Sequence, residues 1–321
     1  MRAAIFTLPL NNIRPAFEPT TSASRFFHRL RLGFAVQENL LDAGMARGRD
    51  NGLYRDFPAR VALGFAHNLC TCQRRRRSLK RINQRSHLSM RFAHTPAIWQ
   101  AFPELVAGVI HADAIHAQAS VQAALTHHIG IAKAHLQAGA ESELPAIQAW
   151  RRAFARMGLK PTQYRCAAEA LLRRLRKEGN LPPLHPLVDL CNAVSVATAI
   201  PIAVFDLAHV AGNLQVRHAT GDEDYLAFSG EHEQPDAGEV IFADDSRQVH
   251  ARRWCNRQSA LSAVRPATSQ VLIVAEAMHD TAAHDVRELL NALAGELGAL
   301  WGARVRSAVL TIDEPGFECA G

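Results

Sequence analysis

The sequence predicts an α+β domain, built from mixed β-sheet layers packed with helices, over residues 90–321. Two observations predict it. Apolar residues recur with helical spacing between residues 118 and 199, whereas a period near two dominates after Pro201. A strand, a long amphipathic helix and a closing strand then end the chain. Helices followed by strands are typical of an α+β fold with a mixed sheet.

Four helices are predicted in the first half of this domain. Gly158 and Pro161 end the second helix, and Gly179 ends the third. Pro186 opens the fourth at a position where a missing N–H costs nothing. The predicted helices are Gln118–Gln137, Leu144–Met157, Tyr164–Lys177 and Leu187–Ala199.

Strands are predicted from short apolar runs and from alternating segments. Asp244-Asp245-Ser246 predicts a hairpin turn, and Ala283–Leu300 has the spacing of an amphipathic helix. The predicted strands are Leu105–Ile110, Leu214–His218, Tyr225–Phe228, Glu239–Ala243, Gln248–Trp254, Val271–Ala277 and Val305–Ile312.

The net positive charge of the chain comes from residues 1–89, which hold 16 Lys and Arg but only 5 Asp and Glu. The remaining residues hold 20 basic and 25 acidic side chains. A basic, disordered leader without helix or strand periodicity is therefore expected before the domain. It could be a targeting segment, a basic RNA-binding arm or an over-extended gene start; the last is favoured because composition changes at Met90.

The cysteines and histidines predict neither a disulfide framework nor a metal site. Four of the six cysteines are scattered singly, which favours reduced thiols in a cytoplasmic protein. No pair in the histidine group has the four-residue spacing of a helical zinc site. No apolar run is long enough to cross a membrane, so no membrane partner is expected. The histidine group is His111, His116, His127, His128 and His135.

Several segments, in this order and spacing, resemble the B3/B4 domain of the phenylalanyl-tRNA synthetase beta subunit. The resemblance covers about residues 95–313 and excludes the leader. The segments are Lys160–Arg165 running into Glu169–Arg174, Leu181–Pro183, Leu187–Ser195, Pro201, Phe205–Leu207, Arg217–Glu223, Gly238–Asp245 and Arg253–Ser259.

The resemblance implies a free-standing editing domain that binds RNA without a cofactor. Its partners would be the 3′ acceptor end of a tRNA and the amino-acid moiety of an aminoacyl-tRNA. Its reaction would be hydrolysis of a mischarged aminoacyl ester in trans, on an arginine-tRNA or a phenylalanine-tRNA type of substrate. The oligomeric state stays open.

Hydrolysis of this ester does not require a Ser-His-Asp triad. The ester is already activated, and the neighbouring ribose hydroxyl can help to position a water molecule. The protein must then supply a fitted pocket and donors near the carbonyl oxygen. The absence of a Gly-x-Ser-x-Gly motif is consistent with this chemistry.

Five polar residues are predicted to be catalytic. Asp189 and Asn192 share one face of an otherwise apolar predicted helix, where they either line a pocket or brace loops. Glu239 could read an amine or guanidinium, and Asp244 could orient water, although both also suit turn chemistry. Arg257 suits a carboxylate or phosphate; its alternative role is an ion pair with Asp244 or Glu239 across the hairpin.

Seven further residues are predicted to bind substrate. Arg253 and Asn256 surround Trp254, a combination that suits base stacking. Arg165 and Glu169 could hold terminal nucleotides, or could form an ion pair at four-residue spacing. The full set is Tyr164, Arg165, Glu169, Ser195, Arg253, Asn256 and Ser259.

Two other functions remain open from the sequence. A module that binds tRNA or an amino acid without chemistry would protect the ester stoichiometrically. A partner-binding subunit would present a large apolar patch and no deep pocket. The basic face of Arg173, Arg174, Arg176 and Lys177 could track phosphates or could simply be solvated.

Overall fold

A computed structural model describes residues 90–319, and every structural statement below concerns that part of the chain. Its first helices are α1 (Pro96–Ala101), α2 (Gln122–Ala138) and α3 (Pro145–Arg156). The later ones are α4 (Ala167–Glu178), α5 (Pro186–Thr198) and α6 (Ala282–Trp301). Short 3₁₀ turns lie at Glu141–Glu143 and Leu207–His209.

Twelve strands within the described residues form two sheets. The large sheet has the order β12-β1-β4-β7-β8-β5-β6, with β9 paired to β8, and the small sheet has the order β11-β2-β10-β3. The strands are β1 (Arg91–His94), β2 (Val106–Ala112), β3 (Ile202–Asp206), β4 (Leu214–His218), β5 (Asp224–Leu226), β6 (His232–Glu233), β7 (Val240–Asp244), β8 (Gln248–Arg252), β9 (Arg257–Gln258), β10 (Val271–Ala277), β11 (Val305–Leu310) and β12 (Gly316–Glu318).

The large sheet is mixed, because β1–β4 and β5–β8 are parallel pairs while its other pairs are antiparallel. The small sheet is antiparallel throughout. Its strand β10 is buried at every position, which matches a sequence that is apolar except for Glu276. The predicted α+β class with mixed sheets and helices is confirmed.

Helix α6 packs directly on the small sheet through Gly108 of β2. A Cβ atom at Gly108 would lie 2.6 Å from Val286 Cγ1 and 2.9 Å from Leu290 Cδ2. Glycine therefore sets how closely this helix approaches the sheet. The apolar stripe of α6, which includes Leu289 and Leu293, is buried against it.

A buried aromatic cluster joins α3 to the large sheet. Trp254 follows β8 and is fully buried, with its ring 5.1 Å from that of Trp150 and 4.9 Å from that of Phe102. Trp254 Nε1 donates to Glu276 Oε1 at 2.9 Å, and Trp150 Nε1 donates to the Glu276 carbonyl at 3.0 Å. Both indole N–H groups are thus satisfied, as buried donors require.

The predicted elements of the domain are present, with small differences at their ends. The helix predicted at Tyr164–Lys177 begins only at Ala167, because the chain before it turns with a Tyr164 N–H to Lys160 carbonyl bond of 2.8 Å. Gly179 ends this helix with a φ of 75°, as predicted. The hairpin turn after Asp244 is also confirmed.

Several short elements were not predicted from the sequence. They are α1, with six residues, and the strands β1, β3, β6, β9 and β12. None is long enough to display a helical or alternating pattern by itself. The predicted leader, residues 1–89, with Cys70 and Cys72, lies outside the described residues and stays a prediction.

Candidate functional site

A cavity of about 570 Å³ lies where α5, the edge strand β3 and strand β9 meet. We call it the Gln258 cavity. Its wall is mostly apolar and includes Val188, Ile202, Val204 and Val264. A concave apolar site of this size, with a few polar groups, is the usual form of a small-molecule pocket.

Three uncharged polar side chains line this cavity: His185, Asn192 and Gln258. Gln258 Nε2 donates to the Val204 carbonyl at 2.6 Å, which leaves its Oε1 as an acceptor. The Asn192 side chain makes no hydrogen bond to another of residues 90–319, so its amide is open to a ligand. Both side chains are held by regular elements, α5 and β9, which position them firmly.

His185 caps the N-terminus of α5. Its Nδ1 accepts from the Leu187 N–H at 3.2 Å, so a neutral ring carries its proton on Nε2. Burial lowers the pKa of His185, and the ring is therefore neutral at pH 7. Among the described residues, Nε2 has no hydrogen-bond partner although it is buried. Such a donor is satisfied only by water or by a ligand.

The mouth of the Gln258 cavity carries two exposed apolar side chains. Leu184 is 68% exposed and Phe228 is 71% exposed, and both line the cavity. Phe228 follows β5, so the large sheet places an aromatic ring beside α5 and β3. An exposed aromatic ring at a cavity mouth can stack on a nucleotide base.

The Asp189 cavity, of about 530 Å³, lies on the other side of Asn192 between α2 and α5. Asp189 and Asn192 both line it, as does Lys133. Asp189 Oδ1 accepts from the Leu184 N–H at 2.9 Å, and burial raises the pKa of this carboxyl. Asp189 therefore braces the segment before α5 and does not enter the Gln258 cavity, whereas Asn192 borders both.

The Arg253 cavity, of about 470 Å³, brings together three of the predicted residues: Tyr164, Glu239 and Arg253. The Arg253 guanidinium lies over the Tyr164 ring, 4.9 Å from its centroid. The Glu239 carboxylate is already engaged, since it accepts from the Arg253 N–H at 2.9 Å and from two nitrogens of Arg252 at 3.0 and 2.9 Å.

The predicted partner of Arg257 is wrong. Arg257 does not pair with Asp244 or Glu239; it pairs with Glu233 through two contacts of 2.9 Å, and its guanidinium lies 5.2 Å from the Tyr225 ring centroid. The arginine that holds Glu239 is Arg252, on the preceding strand. Cross-strand pairing explains the difference, because Arg252 and Arg257 lie opposite each other on β8 and β9, and Glu233 binds both while Glu239 binds Arg252.

Asp244, Ser195 and Ser259 make bonds that hold the fold. Asp244 accepts from the N–H groups of Ser246 and Gln248 at 2.9 and 3.0 Å, which closes the β7–β8 turn. Burial would raise the pKa of Asp244, but His250 and the N–H groups of Ala211 and Gln248 lower it. The buried hydroxyl of Ser195 donates to the Ile200 carbonyl at 2.7 Å, and that of Ser259 donates to the Leu226 carbonyl at 2.9 Å.

Arg165, Glu169 and Asn256 tie the start of α4 to the large sheet. Glu169 is buried and accepts from Arg151 at 2.5 and 3.2 Å, and Arg165 lies 3.4 Å from it at four-residue spacing. Asn256 Nδ2 donates to the Arg165 carbonyl at 2.7 Å. These contacts support the structural interpretation of the three side chains.

The basic face of α4 is largely paired with carboxylates. Arg173 and Arg176 bind Glu141 at 3.1 and 2.8 Å, and Arg174 binds Glu178 at 2.9 Å. Residues 90–319 contain no group of three or more His, Cys, Asp or Glu placed to hold a metal ion. Among the helices of residues 90–319, none combines the length and the hydropathy that a membrane span requires.

Comparison with known proteins finds a match to a protein-family model in part of this chain. Residues 149–291 match the model of the B3/4 domain, a stretch that contains α4, α5 and the strands around the Gln258 cavity. The resemblance to the B3/4 domain is confirmed. The B3/4 match also includes every residue that was predicted to form the site.

Curated relatives that match part of this chain include phenylalanine–tRNA ligase beta subunits. That of Cereibacter sphaeroides is 35% identical over 77 residues, which is 24% of this chain and 9% of the relative. That of Rhodopseudomonas palustris is 40% identical over 77 residues, covering 24% of this chain and 10% of the relative. The matches thus span only about a tenth of the curated relatives.

Among solved structures, a partial match is found to an N-terminal fragment of the phenylalanyl-tRNA synthetase beta-subunit from Pyrococcus horikoshii. The similarity covers 67% of this chain and 50% of that one, with a TM-score of 0.37 and 9% sequence identity.

His185, Phe228 and Gln258, which line the Gln258 cavity, were not predicted from the sequence. Gln258 stood between two singled-out residues, Arg257 and Ser259, and alternation along a strand would have assigned it the opposite face. No local pattern could have placed Phe228 beside α5, because the two are brought together only by the tertiary fold.

Proposed function

We propose that this protein binds the acylated 3′ end of a tRNA and hydrolyses a mischarged aminoacyl ester in the Gln258 cavity. The observation that carries the proposal is the cavity itself: a volume of about 570 Å³, an apolar wall and three uncharged polar side chains. The match to the B3/4 domain and the partial similarity to ligase beta subunits support the choice of an aminoacyl-tRNA as ligand.

The chemistry assigned to this cavity is positioning of a water molecule. The Asn192 amide and the His185 Nε2–H are donors for the ester carbonyl oxygen, whose negative charge grows during attack. Gln258 Oε1 accepts a hydrogen bond from the attacking water, and the ribose hydroxyl of the substrate assists it. His185 stays neutral in this scheme and acts as a donor, because burial lowers its pKa.

The lining also bears on which amino acid is removed. No carboxylate of residues 90–319 lines the Gln258 cavity, so a guanidinium placed there would lose water without gaining an anionic partner. An apolar or aromatic side chain would instead bury its surface against Val188, Ile202 and Val264. The geometry favours the phenylalanine type of substrate over the arginine type.

A deacylation screen tests this function. The full chain at catalytic concentration is incubated with tRNAs that carry phenylalanine, tyrosine, isoleucine or arginine, and release of the amino acid is followed over many turnovers. We expect turnover with apolar or aromatic esters and none with arginine. Stoichiometric protection of the ester would instead support a binding module, and preference for arginine would contradict the assignment to this cavity.

Two matched variants connect the activity to the cavity. Asn192→Ala removes a carbonyl donor and should lower the rate constant for deacylation about a hundredfold, in the range measured for loss of one such donor. Asn291→Ala, on α6, is the control and should leave the rate unchanged. Equal rates in the two variants would remove Asn192 from the site.

We further propose that residues 90–321 fold as one domain without the preceding segment. A chain that starts at Met90 should unfold cooperatively at the same urea concentration as the full chain. Loss of the cooperative transition would place the domain boundary elsewhere.

A further inference from the structure

The Arg253 cavity is separate from the site proposed above, and none of its lining residues is shared with the Gln258 cavity. It opens between the end of α3 and the start of β7. Its wall includes the apolar side chains of Phe102, Met157 and Leu159 and charged side chains, among them Arg253 and Asp236.

Arg253 is held in place by an uncommon backbone. Arg253 and Trp254 have consecutive positive φ angles of 45° and 58°, a conformation that is unfavourable for residues with side chains. The Trp254 N–H donates to the Val240 carbonyl at 2.7 Å, and the Arg253 N–H donates to Glu239 at 2.9 Å. Those bonds, with the buried Trp254 ring, fix the direction in which the Arg253 side chain leaves the sheet.

The Arg253 guanidinium is half-buried and stacked on Tyr164, yet no carboxylate of the described residues lies within ion-pair distance of it. Arg156, the other arginine of the cavity, is already satisfied by Glu104 at 2.6 Å and by the Ala101 carbonyl at 2.8 Å. A pre-positioned arginine without an anion is suited to receive one from a ligand.

Opposite charge in the same cavity restricts what that ligand can be. The exposed Asp236 carboxylate makes no side-chain hydrogen bond or ion pair within residues 90–319, whereas the Glu239 carboxylate is fully engaged by Arg252 and the Arg253 N–H. A doubly charged phosphate would be attracted by Arg253 but repelled by both carboxylates. A zwitterion with separate positive and negative groups suits the pair Arg253 and Asp236.

We propose that the Arg253 cavity binds a free α-amino acid. The carboxylate of the amino acid binds the Arg253 guanidinium, and its ammonium group faces Asp236. Its side chain lies along Phe102, Met157 and Leu159, so amino acids with apolar side chains bind best. This site is distinct from the proposed ester-hydrolysing cavity and does not depend on that proposal.

Calorimetric titration of the full chain tests the site with three probes: L-leucine, L-leucinamide, which lacks the carboxylate, and N-acetyl-L-leucine, which lacks the ammonium group. We expect heat of binding from L-leucine only, with inorganic phosphate as a fourth probe that does not bind. Binding of leucinamide or of phosphate equal to that of leucine would overturn the proposal, as would no binding of any apolar amino acid.

Two variants locate the binding. Arg253→Gln and Asp236→Asn should each weaken leucine binding by about tenfold or more, the effect expected for loss of one charge-assisted hydrogen bond. Asp236 is exposed, so Asp236→Asn remains informative if Arg253→Gln fails to fold. Arg287→Gln, at an exposed position of α6, is the matched control and should bind leucine as the unaltered protein does. Leucine affinity unchanged in Asp236→Asn would contradict the proposed orientation.

Discussion

His94 and Glu276 form a buried contact in which His94 Nε2 lies 2.6 Å from Glu276 Oε1, with neither side chain more than 3% exposed. The same carboxylate oxygen accepts from Trp254 Nε1 at 2.9 Å. One oxygen therefore joins β1 and β10, from different sheets, to the aromatic cluster. The contact lies at the point where the two sheets and α3 meet.

Glu276→Ala should lower the free energy of unfolding by about 3–5 kcal/mol, because it leaves the buried His94 and Trp254 donors without an acceptor. Urea denaturation followed by tryptophan fluorescence measures the change. Glu288→Ala, at an exposed position of α6, should stay within about 0.5 kcal/mol of the unaltered protein. Similar decreases in the free energy of unfolding in the two variants would show that the buried acceptor does not stabilise the fold more than an exposed carboxylate does.

Glu223 should make stability fall in acid. Burial alone would raise the pKa of this carboxyl, but the N–H groups of Thr220 and Gly221 and the Arg217 guanidinium lower it to about 2. A depressed folded pKa contributes stability above the unfolded pKa near 4.5, and this contribution is lost as the pH falls towards 2. It amounts to at most about 3 kcal/mol.

The pH series that checks this compares the unaltered protein with Glu223→Gln in guanidinium chloride at pH 7, 5, 4 and 3. The difference in unfolding free energy should be largest at pH 7 and should narrow below pH 4. A difference that stays constant over the series would mean that ionisation of Glu223 is not its source.

Phe228→Ala should weaken the use of acylated tRNA without affecting stability. The ring is 71% exposed at the cavity mouth, and stacking of one base on an aromatic side chain is worth about 1–3 kcal/mol. The KM for deacylation should therefore rise about tenfold, with the melting temperature unchanged. Ile312→Ala removes an apolar side chain that is 61% exposed elsewhere, and should leave KM unaltered. Equal KM values in both variants would exclude a stacking role.

Glu239→Ala and Arg257→Ala should differ in their effect on stability. Glu239→Ala removes the two-point partner of Arg252, whose side chain is only 5% exposed, and should cost about 2–4 kcal/mol. Arg257 has a side chain that is 38% exposed, and its partner Glu233 also binds Arg252, so Arg257→Ala should cost less than about 1 kcal/mol. Urea midpoints measure both; the reverse order would contradict this account.

The sequence predicted the long elements well because their patterns are local. The α5 helix and the buried strand β10 have their apolar spacing and their boundary residues within a dozen positions. Short pieces such as β9 exist only because a neighbour pairs with them. Their positions depend on tertiary contacts that no local pattern contains.

The candidate site was predicted less well, for a physical reason. Polar residues on buried elements were treated as one group, yet the fold distributes them among three cavities and several structural bonds. Asp189 accepts a hydrogen bond from the Leu184 N–H, and Asp244 accepts hydrogen bonds that close a turn. Of the five residues predicted to be catalytic, Asn192 alone lines the Gln258 cavity. A polar side chain next to a buried backbone N–H is satisfied there, and sequence spacing does not reveal that bond.

The bond from Gln258 to the Val204 carbonyl joins the large sheet to the free edge of the small one. Two residues that line the Gln258 cavity, Gln258 and Val204, therefore also connect the two sheets. A ligand that fills the cavity either stabilises or breaks this hydrogen bond. Ligand binding and the local opening of strand β3 are therefore thermodynamically linked. The rate of amide hydrogen exchange in β3 would therefore change when a ligand binds, even if the ligand is not hydrolysed.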